Sequence, residues 1–279
     1  MTPLVSVVLP VRYVNFDWLK RSISSVLEQD YPNLELIVVN DDATENIDEL
    51  IISLGIVKYV KNDKNRKLPY SLNRGFQFAE GAYHTWTSAD NYMLPGMISR
   101  LVCELEQRRD LSVVCGRSMY IDEHDTVLDI PGGELSAAKL SGCDVSDNHI
   151  ERRYTYYSSL GACFLYRKEL GEYLGGYDER LHGSEDYDFW IRASRSFKMG
   201  RIAWSEPPLY MYCVHTNSIS STVPDCYTKA RLKILEREAR LDSTDRYLRS
   251  AIDYYRGKVA AQEKTNVLWQ LLRALRATI

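Results

Sequence analysis

The chain is short of histidine and has no close pair of cysteines. Its six cysteines stand at 103, 115, 143, 163, 213 and 226, and no two make a C-x-x-C unit. That spacing argues against a thiolate zinc site or a redox dithiol. Several lie among apolar residues, as in Val113-Val114-Cys115, and free buried thiols in a reducing compartment are expected. No apolar run reaches the roughly 18 residues that a membrane-spanning helix needs. The apolar start carries no basic segment and is cut short by Pro10, so it reads as a strand rather than a signal peptide. Internal repeats and low-complexity segments are absent. There is no excess of positive charge either: the formal net charge is -3. A general nucleic-acid binder would present a broad basic surface.

What is present is enough apolar material, 45%, for a sizeable core in 279 residues. Charge is unevenly distributed. Residues 1–224 carry a net charge of -8, and residues 225–279 carry +5. The basic tail faces either an anionic partner or the acidic body of its own chain.

Short, nearly continuous apolar runs alternate with helical periodicity along the first 120 residues. Strands are predicted at 5–9, 34–39, 57–60, 83–87 and 111–120, and helices at 15–29, 47–53, 70–79 and 94–107, the last with Pro95 near its first turn. This alternation, with no early hairpin, implies a parallel or mostly parallel α/β sheet. Ligands of such sheets sit beyond the C-terminal ends of the strands. Four polar tips meet that description: Pro10 to Arg12, Asn40 to Asp42, the 61–67 loop, and Ser88 to Asn91. Beyond residue 122 the pattern weakens. Loops are expected over 129–150, strands at 162–166, 202–204 and 209–214, a helix over 186–196, and helices from 227 onward with a break near 242–245.

Candidate chemistry concentrates at the tips. Asp41 and Asp42 end a buried strand, where a carboxylate either caps a following helix or accepts a base N–H or a ribose hydroxyl. Arg66 and Lys67 close a basic loop that is either solvated surface or a diphosphate contact. Asn73 is read as a tie between loops, and Gly75 as a point of close approach. Asp90 is a hard oxygen ligand that suits a divalent cation together with substrate phosphate oxygens. Asn91 reads as an N-cap for the 94–107 helix. Glu185, Asp186 and Asp188 place three carboxylates within four positions, either as charges complementing a helix N-terminus or as the source of a general base. His215 follows a strand and is either a capping or core side chain or a metal or phosphate contact.

Taken in order, these segments resemble the inverting family 2 glycosyltransferases of the GT-A fold. Val5-Ser-Val-Val-Leu-Pro-Val-Arg-Tyr is similar to that family's first strand. Leu36-Ile-Val-Val-Asn-Asp-Asp-Ala-Thr is similar to its second, and Leu72-Asn-Arg-Gly-Phe to the helix before the central motif. Thr87-Ser-Ala-Asp-Asn occupies the place of the D-x-D motif. Gly175-Gly-Tyr-Asp-Glu-Arg-Leu and Gly183-Ser-Glu-Asp-Tyr-Asp-Phe-Trp-Ile-Arg resemble the segment ending in a Glu-Asp pair. Tyr212-Cys-Val-His215-Thr-Asn-Ser-Ile-Ser resembles the histidine loop. The likeness covers about residues 4–222.

The resemblance implies a GT-A fold: a mostly parallel central sheet flanked by helices, of the nucleotide-diphospho-sugar transferase type. A GT-A domain is expected over 1–224, with a nucleotide-sugar part at 1–120 and an acceptor and catalytic part at 121–224. A C-terminal helical extension would follow at 225–279. The resemblance also implies a nucleotide-sugar donor, most often UDP-linked, Mg²⁺ or Mn²⁺ as cofactor, and inverting transfer to a hydroxyl of a glycan or lipid-linked glycan. It assigns Pro10, Arg12, Asp41, Arg66, Lys67, Asn73, Ser88 and Ala89 to the nucleotide. Asp90 and His215 go to the metal, Asp186 to the general base with Glu185 beside it, and Gly161, His182 and Tyr187 to the acceptor side. Ser88 departs from the family by replacing the first acid of D-x-D.

The implied setting is cytoplasmic, at the cytoplasmic face of a membrane if the acceptor is lipid-linked. The apolar, Arg-bearing stretch at 267–277 is read as a core-packing helix, a homodimer contact or a peripheral membrane patch. Two other classes stay open. One is a non-catalytic nucleotide-sugar or glycan-binding module. The other is a sugar nucleotidyltransferase, although residues 10–18 contain no glycine for the phosphate loop that class prefers.

Overall fold

The computed structural model describes residues 2–56, 58–128, 149–150, 160–202, 206–218 and 224–276. The chain divides into two compact units, Met1–His215 and Thr216–Ile279.

The first unit is built on an eight-stranded sheet. Its strands are β1 (Val5–Val11), β2 (Leu34–Asn40), β3 (Lys58–Lys61), β4 (Tyr83–Trp86), β6 (Val113–Cys115), β8 (His149–Ile150), β9 (Phe164–Arg167) and β10 (Met199–Arg201). The order is β3-β2-β1-β4-β9-β6-β10-β8. β1 pairs in parallel with β2 and β4, β2 with β3, and β6 with β10. β9 runs antiparallel between β4 and β6, and β8 antiparallel to β10. A smaller sheet has the order β5-β11-β7, from β5 (Tyr92–Met93), β7 (Ser118–Ile121) and β11 (Tyr210–Cys213). The fold is thus the expected mixed α/β sheet flanked by helices.

Among the described residues six helices cover the large sheet: α1 (Phe16–Leu27), α2 (Asp48–Ser53), α3 (Leu68–Gln77), α4 (Met97–Gln107), α5 (Lys168–Leu174) and α6 (Glu185–Ala193). β1 sits at the centre and is buried on both faces, which is why it reads as an unbroken apolar run. Val5, Val7, Leu9 and Val11 pack with Leu19, Ile23, Ile98 and Leu101 of α1 and α4. Val8 faces the other way, toward Leu72, Leu170 and Phe189 of α3, α5 and α6. α1 starts where Asn15 Oδ1 accepts the amides of Asp17 and Trp18, at 3.1 and 3.2 Å. At Gly75 an added Cβ would sit 2.4 Å from Val8 Cγ1, so α3 rests on β1 only because that residue has no side chain.

Three local expectations change. The 94–107 helix begins at Met97, after Gly96 in the left-handed region (φ 84). Leu94 N donates to Leu209 O instead, which holds the segment around Pro95 outside the helix. The single strand expected at 111–120 is two, β6 and β7, in different sheets. Gly116 lies at the division, where an added Cβ would meet Cys163 Sγ at 2.8 Å. The strand expected at 202–204 is instead β10, ending at Arg201, and residues 203–205 lie outside the described residues. So do residues 129–148 of the loop expected over 129–150, whose last two residues instead form β8. Cys115, Cys163 and Cys213 are buried free thiols as expected, whereas Cys103 is exposed.

The second unit contains α7 (Pro224–Leu241) and α8 (Arg246–Arg276). The ion pairs Lys229–Glu263 (3.0 Å) and Arg256–Glu236 (2.9 Å) join them in antiparallel order. Between them Asp242 Oδ1 accepts the Thr244 amide and Asp245 Oδ1 accepts the Leu248 amide, which starts α8 at the expected break. The 267–277 stretch lies outside the described side chains. No helix among the described residues is long and apolar enough to cross a membrane.

Candidate functional site

The strand register aligns the tips. Val11 pairs with Asn40, and Asn40 with Lys61, while Val8 pairs with Trp86. The segments that follow β1, β2, β3 and β4 therefore leave the sheet along one edge.

At this edge Asp41 is buried and already engaged by its own chain. Its Oδ1 accepts the Arg66 amide at 2.7 Å and Asn62 Nδ2 at 2.8 Å, and Oδ2 accepts the Lys67 amide at 2.9 Å. The carboxylate thereby folds the basic loop back onto β2, and Lys67 takes φ 73 to close it. A carboxylate has about four lone-pair positions, so one on Oδ2 is left to meet a ligand N–H. Arg66 stacks over the Tyr70 ring at 4.1 Å. Arg12 lies 3.5 Å from Asp42 on the neighbouring tip. His182 has Lys67 and Asp41 as its electrostatic neighbours. Burial first and Lys67 second push its pKa down, so the ring is neutral near pH 7. Its Nδ1 is buried without a partner. His182, expected on the acceptor side, is thus placed against the basic loop.

Asn73 is placed elsewhere. Its amide donates to Tyr177 O (2.9 Å) and Glu179 Oε1 (3.1 Å), and its carbonyl accepts the Tyr177 amide (2.8 Å). It ties α3 to the bend after α5, and both amide hydrogens are spent there rather than on a nucleotide.

The segment after β4 is fixed from several sides. Ser22 Oγ donates to Ser88 O (2.9 Å), and Thr87 Oγ1 lies 2.8 Å from the Tyr210 hydroxyl. Asn91 does not cap α4. Its amide donates to Ser88 Oγ (2.5 Å), and its carbonyl accepts the Cys213 amide (2.8 Å). That bridge to β11 brings His215 over Asp90, with Nε2 to Oδ2 at 2.8 Å. The hydrogen bond to Asp90 raises the His215 pKa, against burial, which lowers it. Trp18 of α1 packs its ring 5.1 Å from the imidazole. Asp90 Oδ1 is buried and has no partner.

An orphaned carboxylate oxygen beside an imidazole is a donor set that fits a divalent cation. Among the described residues no group of three or more His, Cys, Asp or Glu could hold a metal. The protein offers two such ligands here, which leaves the remaining positions to substrate oxygens and water.

The structure sorts the three acids of α6. Asp188 is fully buried and pairs with Arg192 at 2.7 Å, and Arg192 also donates to the carbonyls of Leu174 and Gly176, both at 2.8 Å. It is a structural ion pair. Glu185 is also buried and accepts the Gly183 amide at 2.5 Å. Burial first, and the Asp186 charge second, raise its pKa to about 8. Asp186 alone is partly exposed, with Oδ1 accepting the Tyr187 amide at 2.6 Å. Tyr187, expected to face the acceptor, is fully buried. Gly161 takes φ 82 ahead of β9.

Sequence reasoning missed the residues that join these parts. Trp86 Nε1 donates to the Tyr177 hydroxyl at 3.0 Å, and Tyr177 is pushed to a higher pKa by burial first, with Asp186 and Glu185 adding to it. The strand carrying the Asp90 loop is thereby connected to the acid pair. Asn62 and Trp18 carry no motif signal, and Tyr177 stands in a motif segment without a role of its own, since each acts through a contact between segments distant in sequence.

Glu185 supplies a pH test. An acid held above its ordinary value of 4.5 keeps its proton in the folded chain while the unfolded chain gives it up. Its contribution to stability is therefore highest below that value and falls as pH rises toward about 8. Replacing Glu185 with Gln is expected to flatten this fall, read as a smaller decrease in Tm across that interval.

Comparison with known proteins bears on the family and the fold. The family model described as Glycosyl transferase family 2 matches residues 6–174. A protein of Rickettsia typhi described as an uncharacterized glycosyltransferase is 30% identical over 200 residues, covering 70% of this chain and 59% of its own length. This chain therefore spans less than two thirds of that relative. Among solved structures, S. aureus TarS in complex with UDP-GlcNAc superposes with a TM-score of 0.71, at 15% identity, over 90% of this chain and 71% of its own. The Pyrobaculum calidifontis mannosyltransferase PcManGT, in complex with GDP-Man and Mn²⁺, superposes with a TM-score of 0.66, at 16% identity, over 99% and 81%. At such identities these likenesses show the fold alone.

Proposed function

The chain belongs to glycosyl transferase family 2, and on that premise we propose that it transfers a sugar from a UDP-linked donor to a glycan or lipid-linked glycan hydroxyl, with inversion. The observation that carries this reading is the pair formed by Asp90, with its orphaned buried oxygen, and His215 at the strand edge.

Arg66 and Lys67, held by Asp41, lie at the same edge and offer positive charge and amides to a diphosphate. The remaining Oδ2 lone pair of Asp41 accepts the base N–H. Asp90 and His215 would hold Mg²⁺ or Mn²⁺, which when bound offsets the charge that develops on the leaving diphosphate. Ser88 Oγ, already accepting from Asn91, contributes a neutral hydroxyl where the family has an acid. The acceptor hydroxyl approaches the anomeric carbon from the face opposite the leaving group. Its oxygen forms the new bond as the bond to the diphosphate breaks, and Asp186 takes its proton. Glu185, kept protonated, adds no second negative charge beside that base.

The reading is tested by calorimetric titration of UDP, GDP and dTDP, each with and without Mn²⁺. UDP is expected to bind, and to bind more tightly with the cation. Preference for GDP would reassign the base. No binding of any of the three would remove the transferase reading.

A further inference from the structure

We propose that a pocket on the α3 and α5 side of the large sheet binds one pyranose unit of a glycan chain, away from the reacting centre. The glycan context rests on the proposed transfer reaction; the pocket itself does not.

The cavity has a volume of about 380 Å³. That falls within the range of about 300–1,000 Å³ typical of small-molecule sites, and one water fills only about 30 Å³. None of Asp90, Asp186 or His215 lines it. Gly171, Gly175 and Gly176 are among its lining residues. Gly175 (φ 69) has nothing within 4 Å of where a Cβ would stand, and a Cβ on Gly176 (φ 79) would meet Asn73 Oδ1 at 2.5 Å.

One wall is aromatic. Phe76 is half-buried and stacks on His84 at 4.9 Å, with Tyr166 edge-on to both. Tyr177 completes it, and its hydroxyl accepts a hydrogen bond from Trp86 Nε1 at 3.0 Å.

His84 carries the argument. It is 5% exposed, lines the cavity, and its Nε2 has no partner. The other ring nitrogen bonds the Gly81 backbone, and burial lowers the pKa to about 4. The imidazole is therefore neutral with its proton directed at Gly81, and Nε2 presents a lone pair. Leaving such a group buried and unpaired is costly, so the site calls for a donor. Ionised carboxylates and phosphodiesters have no proton to give, and a phosphate that keeps one would bring a net negative charge into an uncharged, largely apolar wall. At the rim Lys168 pairs with Glu172 at 3.3 Å, and Glu179 accepts the Asn73 amide. Their charges are engaged within the pocket. A neutral ring with an apolar C–H face for Phe76 and a hydroxyl for His84 matches these features, and a sugar has both.

Saturation-transfer NMR on the full chain tests this, using methyl glycosides of glucose, galactose, mannose and N-acetylglucosamine with saturating UDP and Mg²⁺. Transfer to at least one glycoside is expected to persist with UDP present. His84→Phe keeps the ring and removes the acceptor, and should weaken binding by about three- to tenfold. Gln77→Trp, at an exposed position on the mouth, should block it, and serves alone if His84→Phe fails to fold. A disaccharide of the preferred sugar should bind at least as well as the glycoside. The proposal is overturned by absence of transfer in the unaltered chain, displacement by UDP, indifference to both variants, or exclusion of the disaccharide. Failure of UDP to bind would refute the transferase reading and leave the glycoside result readable by itself.

Discussion

Replacing Asp186 with Asn is expected to lower kcat by about 10²- to 10⁴-fold, the range a positioned general base contributes, while the Kd for UDP stays unchanged. The expectation follows from how α6 divides its acids. Asp188 is held by Arg192 inside the protein, and Glu185 is buried with its pKa raised, by burial first and the Asp186 charge second. Only Asp186 combines partial exposure with a position at the start of the helix. Asparagine keeps the shape and the oxygen that accepts the Tyr187 amide, so the loss reports basicity rather than folding. Glu185→Gln is the internal control. An uncharged acid exchanged for an uncharged amide should retain most of the activity. Equal losses in the two variants would mean that Glu185 shares the proton-transfer step, and full activity in Asp186→Asn would remove the assignment. Steady-state rates with the acceptor, paired with calorimetry on UDP, separate these outcomes.

The sequence made the parallel half of the sheet legible because burial on both faces leaves apolar runs such as Val5 to Leu9 and Leu34 to Val39. It also exposed the tips, because a polar segment after each such run marks the strand end. The split between β6 and β7 was not legible. Nothing in the run marks the point where the chain passes from one sheet to the other, and the close approach of Gly116 to Cys163, a residue far along the chain, is visible only in the fold. Within the site, residue type indicated which groups have chemistry and could not say which of them are already engaged. Asp41, Asn73 and Asp188 all read as candidate contacts. Asp41 is occupied by Arg66, Lys67 and Asn62, Asn73 by the Tyr177 segment, and Asp188 by Arg192. Asp90 is the opposite case. The helix-capping reading of its neighbour Asn91 disappears once α4 is seen to begin at Met97, and the Asp90 oxygen left without a partner is visible only in three dimensions.

That oxygen sets the second large effect. Asp90→Ala is expected to abolish the gain in UDP affinity that Mn²⁺ provides and to lower kcat by about 10²- to 10³-fold, the scale at which one aligned electrostatic contact to developing charge acts. The loss should exceed that of His215→Ala, because Asp90 supplies both the orphaned Oδ1 and the Oδ2 that holds His215 in place. Electron paramagnetic resonance of Mn²⁺ titrated into the chain with UDP reads the site without turnover. Bound Mn²⁺ should vanish in Asp90→Ala and persist, more weakly, in His215→Ala. Ser88→Asp tests the same site from the other direction. A carboxylate there can still accept the Asn91 amide that Ser88 Oγ now takes. It would add a second anionic oxygen near a cation that otherwise depends on one carboxylate, one imidazole and the substrate. Tighter Mn²⁺ binding in Ser88→Asp, with loss in Asp90→Ala, would locate the cation between those two positions. Unchanged Mn²⁺ binding in both variants would show that the cation lies elsewhere. The Asp90–His215 contact would then be an internal ion pair that braces the loop, and the charge on the leaving diphosphate would fall to Arg66, Lys67 and their amides.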